Sequence, residues 1–122
     1  MLSFTIAQLL LNYKKGKKKM QIEDKYLVIR MPEEIDHHQA VLIRKQADEK
    51  IVKGEIQDVI FDFSATRVMD SSGIGMIMGR QRVVSNFGGH IYIANASSRI
   101  HDILCAAGLQ KIVSFITAQE MN

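Results

Sequence analysis

The sequence predicts an α/β layer fold, a mixed and mostly parallel sheet of four to five strands flanked by helices. Three observations lead there. Short apolar runs alternate with longer segments whose apolar residues recur at helical spacing. The first two strand-like runs are joined by a tight polar turn. The helical segments open on Asp or Ser and close on Gly. With 122 residues, 47% of them hydrophobic and 24% charged, the chain fits one domain around one core.

The stretch "MQIEDKYLVIRMP" holds two short strands around a turn at Asp24-Lys25, with Tyr26, Val28 and Arg30 on one face and Leu27 and Ile29 on the other. Pro32 ends the run. Asp36 is suited to cap a helix, and Gln39 three residues on completes a capping-box-like pair. Ala40, Ile43, Ala47 and Ile51 form the apolar face of that helix, and Gly54 closes it. "DVIFDF", Asp58 to Phe63, is apolar on both faces and reads as a buried, central, parallel strand. A helix follows the Ser71-Ser72 pair, starting near Gly73, with Ile74, Ile77, Met78, Val84 and Phe87 on one face. Gly88 or Gly89 is free to end it with positive φ. "HIYIA" is the next strand. "NASSRIHDILCAAG" is a capped helix, apolar at Ile100, Ile103, Leu104 and Ala107 and closed by Gly108, and "IVSFI" is a last short strand. The order ββαβαβα, with that final strand, implies right-handed crossovers. In such sheets sites collect beyond the carboxyl ends of strands. Asp36 and Ser71-Ser72 both fall in loops of that kind and are expected to be neighbours.

The net charge of +3 misleads, because five of the sixteen basic residues are Lys14, Lys15, Lys17, Lys18 and Lys19, and no acidic residue precedes Glu23. From Met20 onward 11 basic residues face 13 acidic ones, a balance of −2. The globular part has no positive excess for a nucleic-acid backbone. The single cysteine, Cys105, forms no internal disulfide and fits a cytoplasmic protein; its apolar surroundings suggest a buried small hydrophobe. The apolar run before the lysines is too short to span a bilayer, and its charge follows it, unlike a signal peptide. An upstream extension or tail, an ordered addition to the fold and an amphipathic membrane anchor are the three readings of this segment. "KKGKKKM" is what a purine-rich ribosome-binding site would encode in frame, so Met20 is expected to be the natural start. We therefore expect an extension over residues 1–19, a domain over residues 20–122, and no membrane partner.

Several chemistries are weighed and set aside. Gly73, Gly75 and Gly79 loosely suggest a dinucleotide loop, but Ile93, Ala94 and Asn95 stand where an acidic residue is needed. "DHH", Asp36 to His38, lacks chelate spacing, and His90 and His101 stand alone, so no metal is expected. A serine hydrolase would need GxSxG, whereas the chain reads Met-Asp-Ser-Ser-Gly, with nothing to orient His37 or His38 as a base. No catalytic residue and no cofactor is assigned. The methionines read as core fillers, except Met76, which is expected on an exposed contact face. Phosphate acceptance remains: a serine at a helix start lies beside unpaired N–H groups and the positive end of the dipole. From the residues alone, a plain serine cap stays open.

Three stretches, "EIDHHQA" (Glu34–Ala40), "VMDSSGIGMIMGRQR" (Val68–Arg82) and "AAGLQKIVSF" (Ala106–Phe115), resemble the anti-sigma factor antagonists of the STAS-domain family, with the sporulation type closest. The resemblance runs from Met20 to Phe115. It implies a non-enzymatic switch on a single STAS domain. The unphosphorylated form would bind an anti-sigma factor that is also an ATP-using serine kinase, releasing a sigma factor so that transcription starts. The kinase would disable the antagonist, and a PP2C-like phosphatase would restore it. The match makes Ser72 the phosphate acceptor, with Asp70 and Ser71 shaping the turn. Asp36 would hydrogen-bond the free hydroxyl and repel the phosphate. Asp36, His37, Ser71, Ser72, Gly73, Ile74, Gly75 and Met76 would form the partner contact on a protein monomeric in isolation. A STAS module of another signalling system, stressosome-like or a small-ligand sensor, is the alternative. The chain departs from the pattern in its amino-terminal extension and in "TAQEMN", which stops where a longer final helix is usual. It also departs at Arg67, where a less charged residue is common and a change would adjust partner choice.

Overall fold

The computed structural model describes residues 19–116. The expectations for residues 1–18 and for "TAQEMN" (117–122) lie outside the described residues. In chain order the elements are β1 (Met20–Glu23), β2 (Tyr26–Arg30), β3 (Glu34–Ile35), α1 (His37–Val52), β4 (Asp58–Asp62), β5 (Val68–Met69), α2 (Ser71–Ser85), β6 (Ile91–Ala94), α3 (Ser98–Ala106), a 3-10 turn (Leu109–Lys111) and β7 (Ser114–Ile116).

β1 and β2 form the expected antiparallel hairpin, with Asp24 in the left-handed region (φ 55°) that Asp tolerates better than most residues. The main sheet runs β1-β2-β4-β6-β7, and β2, β4, β6 and β7 are mutually parallel. β4 is central, and every one of its residues is buried. Strand order advances in one direction, so crossovers of one hand place α1, α2 and α3 on one face. There Leu27, Ile29, Val59, Phe61, Ile91 and Ile93 meet Ala40, Ile43, Ala47 and Ile51 of α1, Ile77 and Val84 of α2, and Ile100 and Leu104 of α3. Each large aliphatic side chain buried in this way contributes about 1.5–3 kcal/mol. The alternate residues Val28, Ile60, Ala94 and Ile116 are buried on the other face, beside Tyr26 and Tyr92.

Two buried carboxylates pin the ends of β4. Asp58 accepts the His90 amide at 2.8 Å. Asp62 accepts the Ser64 amide at 3.0 Å, the Ser64 hydroxyl at 3.2 Å and the Asn95 side-chain amide at 3.2 Å. Buried acceptors left unmet are costly, and these are met by turns at the two ends of the strand.

Gly54, Gly88 and Gly108 close their helices with φ of 83°, 81° and 84°, as expected of helix ends. Gly89 serves differently, since a Cβ there would stand 2.0 Å from the Gln57 carbonyl oxygen.

Four expectations are corrected, and one element is added. The helix after the serine pair starts at Ser71 and not at Gly73, because Asp70 supplies the cap. Phe87 is 45% exposed, since α2 ends at Ser85 and the helical period no longer applies in the exit turn. Ala107 is exposed, as the residue that terminates α3. Cys105 is half-buried and lies off the Ile100–Leu104 stripe, with its Sγ 3.7 Å from each ring nitrogen of His101 one turn back. The added element is a separate two-stranded parallel sheet of β3 and β5.

Candidate functional site

This small sheet builds the site. Ile35 is in register with Met69, and the Ile35 carbonyl accepts the Asp70 amide at 3.0 Å. The Glu33 carbonyl accepts the Arg67 amide at 2.8 Å, and the Pro32 carbonyl accepts the Thr66 hydroxyl at 2.8 Å. An exposed Arg67–Glu33 ion pair, 2.9 Å apart, lies over the same junction. The loop before α1 and the loop before α2 are thereby fastened side by side.

Each loop ends in an extended aspartate that caps the next helix. Asp36 accepts the Gln39 amide at 2.9 Å, and Asp70 accepts the Ser72 amide at 2.8 Å. Both carboxylates occupy the positive ends of helix dipoles. The pairing of Asp36 with Gln39 follows the expectation. The hydrogen bond expected from the Ser72 hydroxyl to Asp36 is not formed. The cap directions explain this, since each carboxylate turns to its own helix, and the one in contact with Ser72 is Asp70.

Ser71 is exposed and Ser72 half-buried, in the first and second positions of α2. Among the described residues the Ser72 hydroxyl has no hydrogen-bond partner. Behind them Gly73 is buried, and a Cβ there would come 2.7 Å from Met69 Cγ and Sδ and 3.1 Å from Ile35 Cγ2. Gly73 therefore lets α2 sit on the β3–β5 bridge. Gly75 faces open space, with nothing within 4 Å of a would-be Cβ.

Between α1 and α2 runs an open groove of about 560 Å³. His37, Ala40, Val41 and Arg44 line it from α1; Ser72, Gly75, Met76 and Arg80 line it from α2. The structure thus brings His37, Ser72, Gly75 and Met76 to one groove. Asp36 and Asp70 hold the helix starts at its head, while Ile74 packs half-buried against the core. Met76 corrects its expectation. It is 5% exposed, because the bridge presses α2 against α1 and turns this side chain into the groove floor.

Arg44, Val41 and Arg80 have no place in the sequence-based site. Arg80 carried a signal nonetheless: it falls three residues after Ile77 and four before Val84, on the apolar stripe of its own helix. Burial pushes its pKa below the ordinary value; the charge of Asp48 opposes that shift and the charge of Arg44 adds to it. Among the described residues, no group of three His, Cys, Asp or Glu side chains could hold a metal ion, and no helix is long and apolar enough to cross a membrane.

The hairpin-led sheet and its two fastened helix starts define an α/β domain whose most built surface is a groove between capped helices. The chain belongs to the STAS domain family, which matches residues 17–120. It is 32% identical over 87 residues to the anti-sigma F factor antagonist of Paenibacillus polymyxa, covering 71% of this chain and 74% of that protein. Its fold is similar to the anti-sigma factor antagonist SpoIIAA in the unphosphorylated form (TM-score 0.74, 28% identity, 83% of this chain and 89% of that one). It is also similar to the Bacillus cell fate determinant SpoIIAA in the phosphorylated form (TM-score 0.68, 28% identity, 83% of this chain and 92% of that one).

Proposed function

We propose that this protein is an anti-sigma factor antagonist switched by phosphorylation of Ser72. In this reading the unphosphorylated form binds an anti-sigma factor that is also a serine kinase, and a sigma factor is released to start transcription. The kinase then disables the antagonist with ATP, and a PP2C-like phosphatase restores it. The chain acts as a cytoplasmic monomer, without direct contact to nucleic acid, and is a substrate of these enzymes with no catalytic step of its own. The domain spans residues 20–122, with residues 1–19 as an extension outside it.

The observation that carries this reading is the bridge between Ile35 and Asp70, which sets two capped helix starts together and leaves the Ser72 hydroxyl unbonded at a groove mouth. The relatives support it: one is named an anti-sigma F factor antagonist, and SpoIIAA exists in phosphorylated and unphosphorylated forms. The physics agrees. A phosphate in the first turn of a helix is tolerated by the backbone N–H groups and the dipole, so folding survives. At Ser72 it adds roughly −1.5 to −2 charges beside the Asp70 carboxylate, on a surface that a partner must desolvate.

Intact-mass measurement and peptide mapping after incubation with the cognate kinase and ATP test the assignment. One added phosphate on Ser72 is expected. Phosphate on Ser71 instead, or none with a kinase shown to be active, overturns it.

A further inference from the structure

The groove runs from Ser72 towards an inner end whose charge the phosphorylation switch does not use. Arg80 sits there, 7% exposed, on the core-facing side of α2. Asp48 of α1 approaches it, with Oδ1 3.0 Å from Nε. The approach is out of line, so the two atoms are an ion pair by distance but not a hydrogen bond, and Nη1 has no acceptor at all. A guanidinium does not give up its proton in a protein, and its planar fork is made for a carboxylate. Arg80 is thus a cation whose Nε and Nη1 are closed off beside Asp48, and it lines the open groove with the remaining edge of its side chain.

The rest of the lining says what would fit against that edge. Arg44, exposed on α1, adds a second positive charge to the same groove. Ala40, Val41 and Met76 share the lining with these charges and are apolar. The groove is open along its length and continuous with Ser72 and His37, the surface already proposed for the partner. A small free anion would meet the arginines but leave the apolar wall uncovered. An amphipathic protein segment covers both.

We propose that the α1–α2 groove seats an amphipathic segment of the anti-sigma factor, with an apolar side chain over Val41 and Met76 and a carboxylate paired with Arg80 and Arg44. The proposal rests on the reading of the chain as an antagonist and adds the chemistry of the partner to it. Arg80 is then a specificity residue: it rewards a partner that brings Asp or Glu to this depth and penalises one that does not.

Arg80→Met keeps the volume and removes the charge. Asp48 loses its counter-ion but is 40% exposed to water, so the variant should still fold, melting at or somewhat below the parent temperature. Its affinity for the cognate anti-sigma factor, measured by titration calorimetry, should fall about ten- to hundredfold. An Asp→Asn and Glu→Gln scan of the factor should find one change that weakens binding to the parent but not to Arg80→Met. Parent-like affinity for Arg80→Met, with Ser72→Asp still weakened, overturns the carboxylate pairing and leaves the antagonist reading standing. A parent that does not bind its factor overturns both. Inorganic phosphate that shifts the Arg80 Nε resonance, with affinity for the factor unchanged in Arg80→Met, makes the groove a small-anion site and also overturns the proposal. Should Arg80→Met fail to fold, Arg44→Met on the exposed side takes its place: a loss of affinity is expected, and none overturns the pairing.

Discussion

The carbonyl of Ile35 accepts the amide of Asp70 at 3.0 Å, one residue beyond the register pair Ile35–Met69. That hydrogen bond joins two loops far apart in the chain. The residue after Ile35 caps α1, and Asp70 itself caps α2. The two helix starts, the serine pair and the groove mouth all depend on this junction.

The caps should be measurable one at a time. Asp70→Ala removes the acceptor of the Ser72 amide and should cost about 1 kcal/mol, with most of it recovered in Asp70→Asn. Asp36→Ala should cost a similar amount through the Gln39 amide. Urea denaturation of the three variants against the parent reads these losses; no loss in Asp70→Ala would mean that Ser72 does not rely on this cap.

Two glycines of α2, two residues apart, should behave oppositely. Gly73→Val drives a side chain into Met69 and Ile35 and should destabilise the fold by about 1–3 kcal/mol. Gly75→Ala meets nothing and should be neutral or stabilising by up to about 1 kcal/mol through helix propensity. Gly75→Leu should still fold, yet block a partner in the groove. Melting curves and a binding titration on the same samples separate the two effects.

Charge at Ser72 should act on binding and not on folding. Ser72→Asp should lose about 2–4 kcal/mol of affinity for the anti-sigma factor, about 30- to 1000-fold, while Ser72→Ala should bind and resist modification. Equal affinity of Ser72→Asp and the parent would place the interface elsewhere.

Alkaline stability should fall earlier than it would without two tyrosines. Burial, and after it the charge of Asp58, raises the pKa of both Tyr26 and Tyr92 above the ordinary 10.0. The folded state therefore holds these protons more tightly than the unfolded state. The stabilisation is complete below the unfolded value of 10.0 and is lost as pH rises through the folded values. Urea unfolding across that range should show the decline, and the double variant Tyr26→Phe, Tyr92→Phe should flatten it.

Most of the elements were legible because their causes are local. The Asp36 cap, the Ala40–Ile43–Ala47–Ile51 stripe, the apolar run of β4 and the closing glycines each express a contact within about four residues, or a burial on both faces that a single run displays. The β3–β5 sheet was not legible. Two residues cannot show a period, and their pairing depends on contacts with a distant loop. The site inherits that gap. The motif resemblance points to His37, Ser72 and Gly75, but the burial of Met76 and of Arg80 is set by contact with α1.

Strand and helix identity and capping chemistry are thus set by composition along a few consecutive turns, where dihedral preference and short-range hydrogen bonds dominate, while Ser72 is singled out by the resemblance of its motif. Which helix faces meet, which carboxylate touches Ser72 and why an arginine lies buried beneath a groove were settled by contacts between residues distant in the chain. Those contacts exist only once the sheet order brings α1 against α2 and the Ile35 carbonyl within reach of the Asp70 amide.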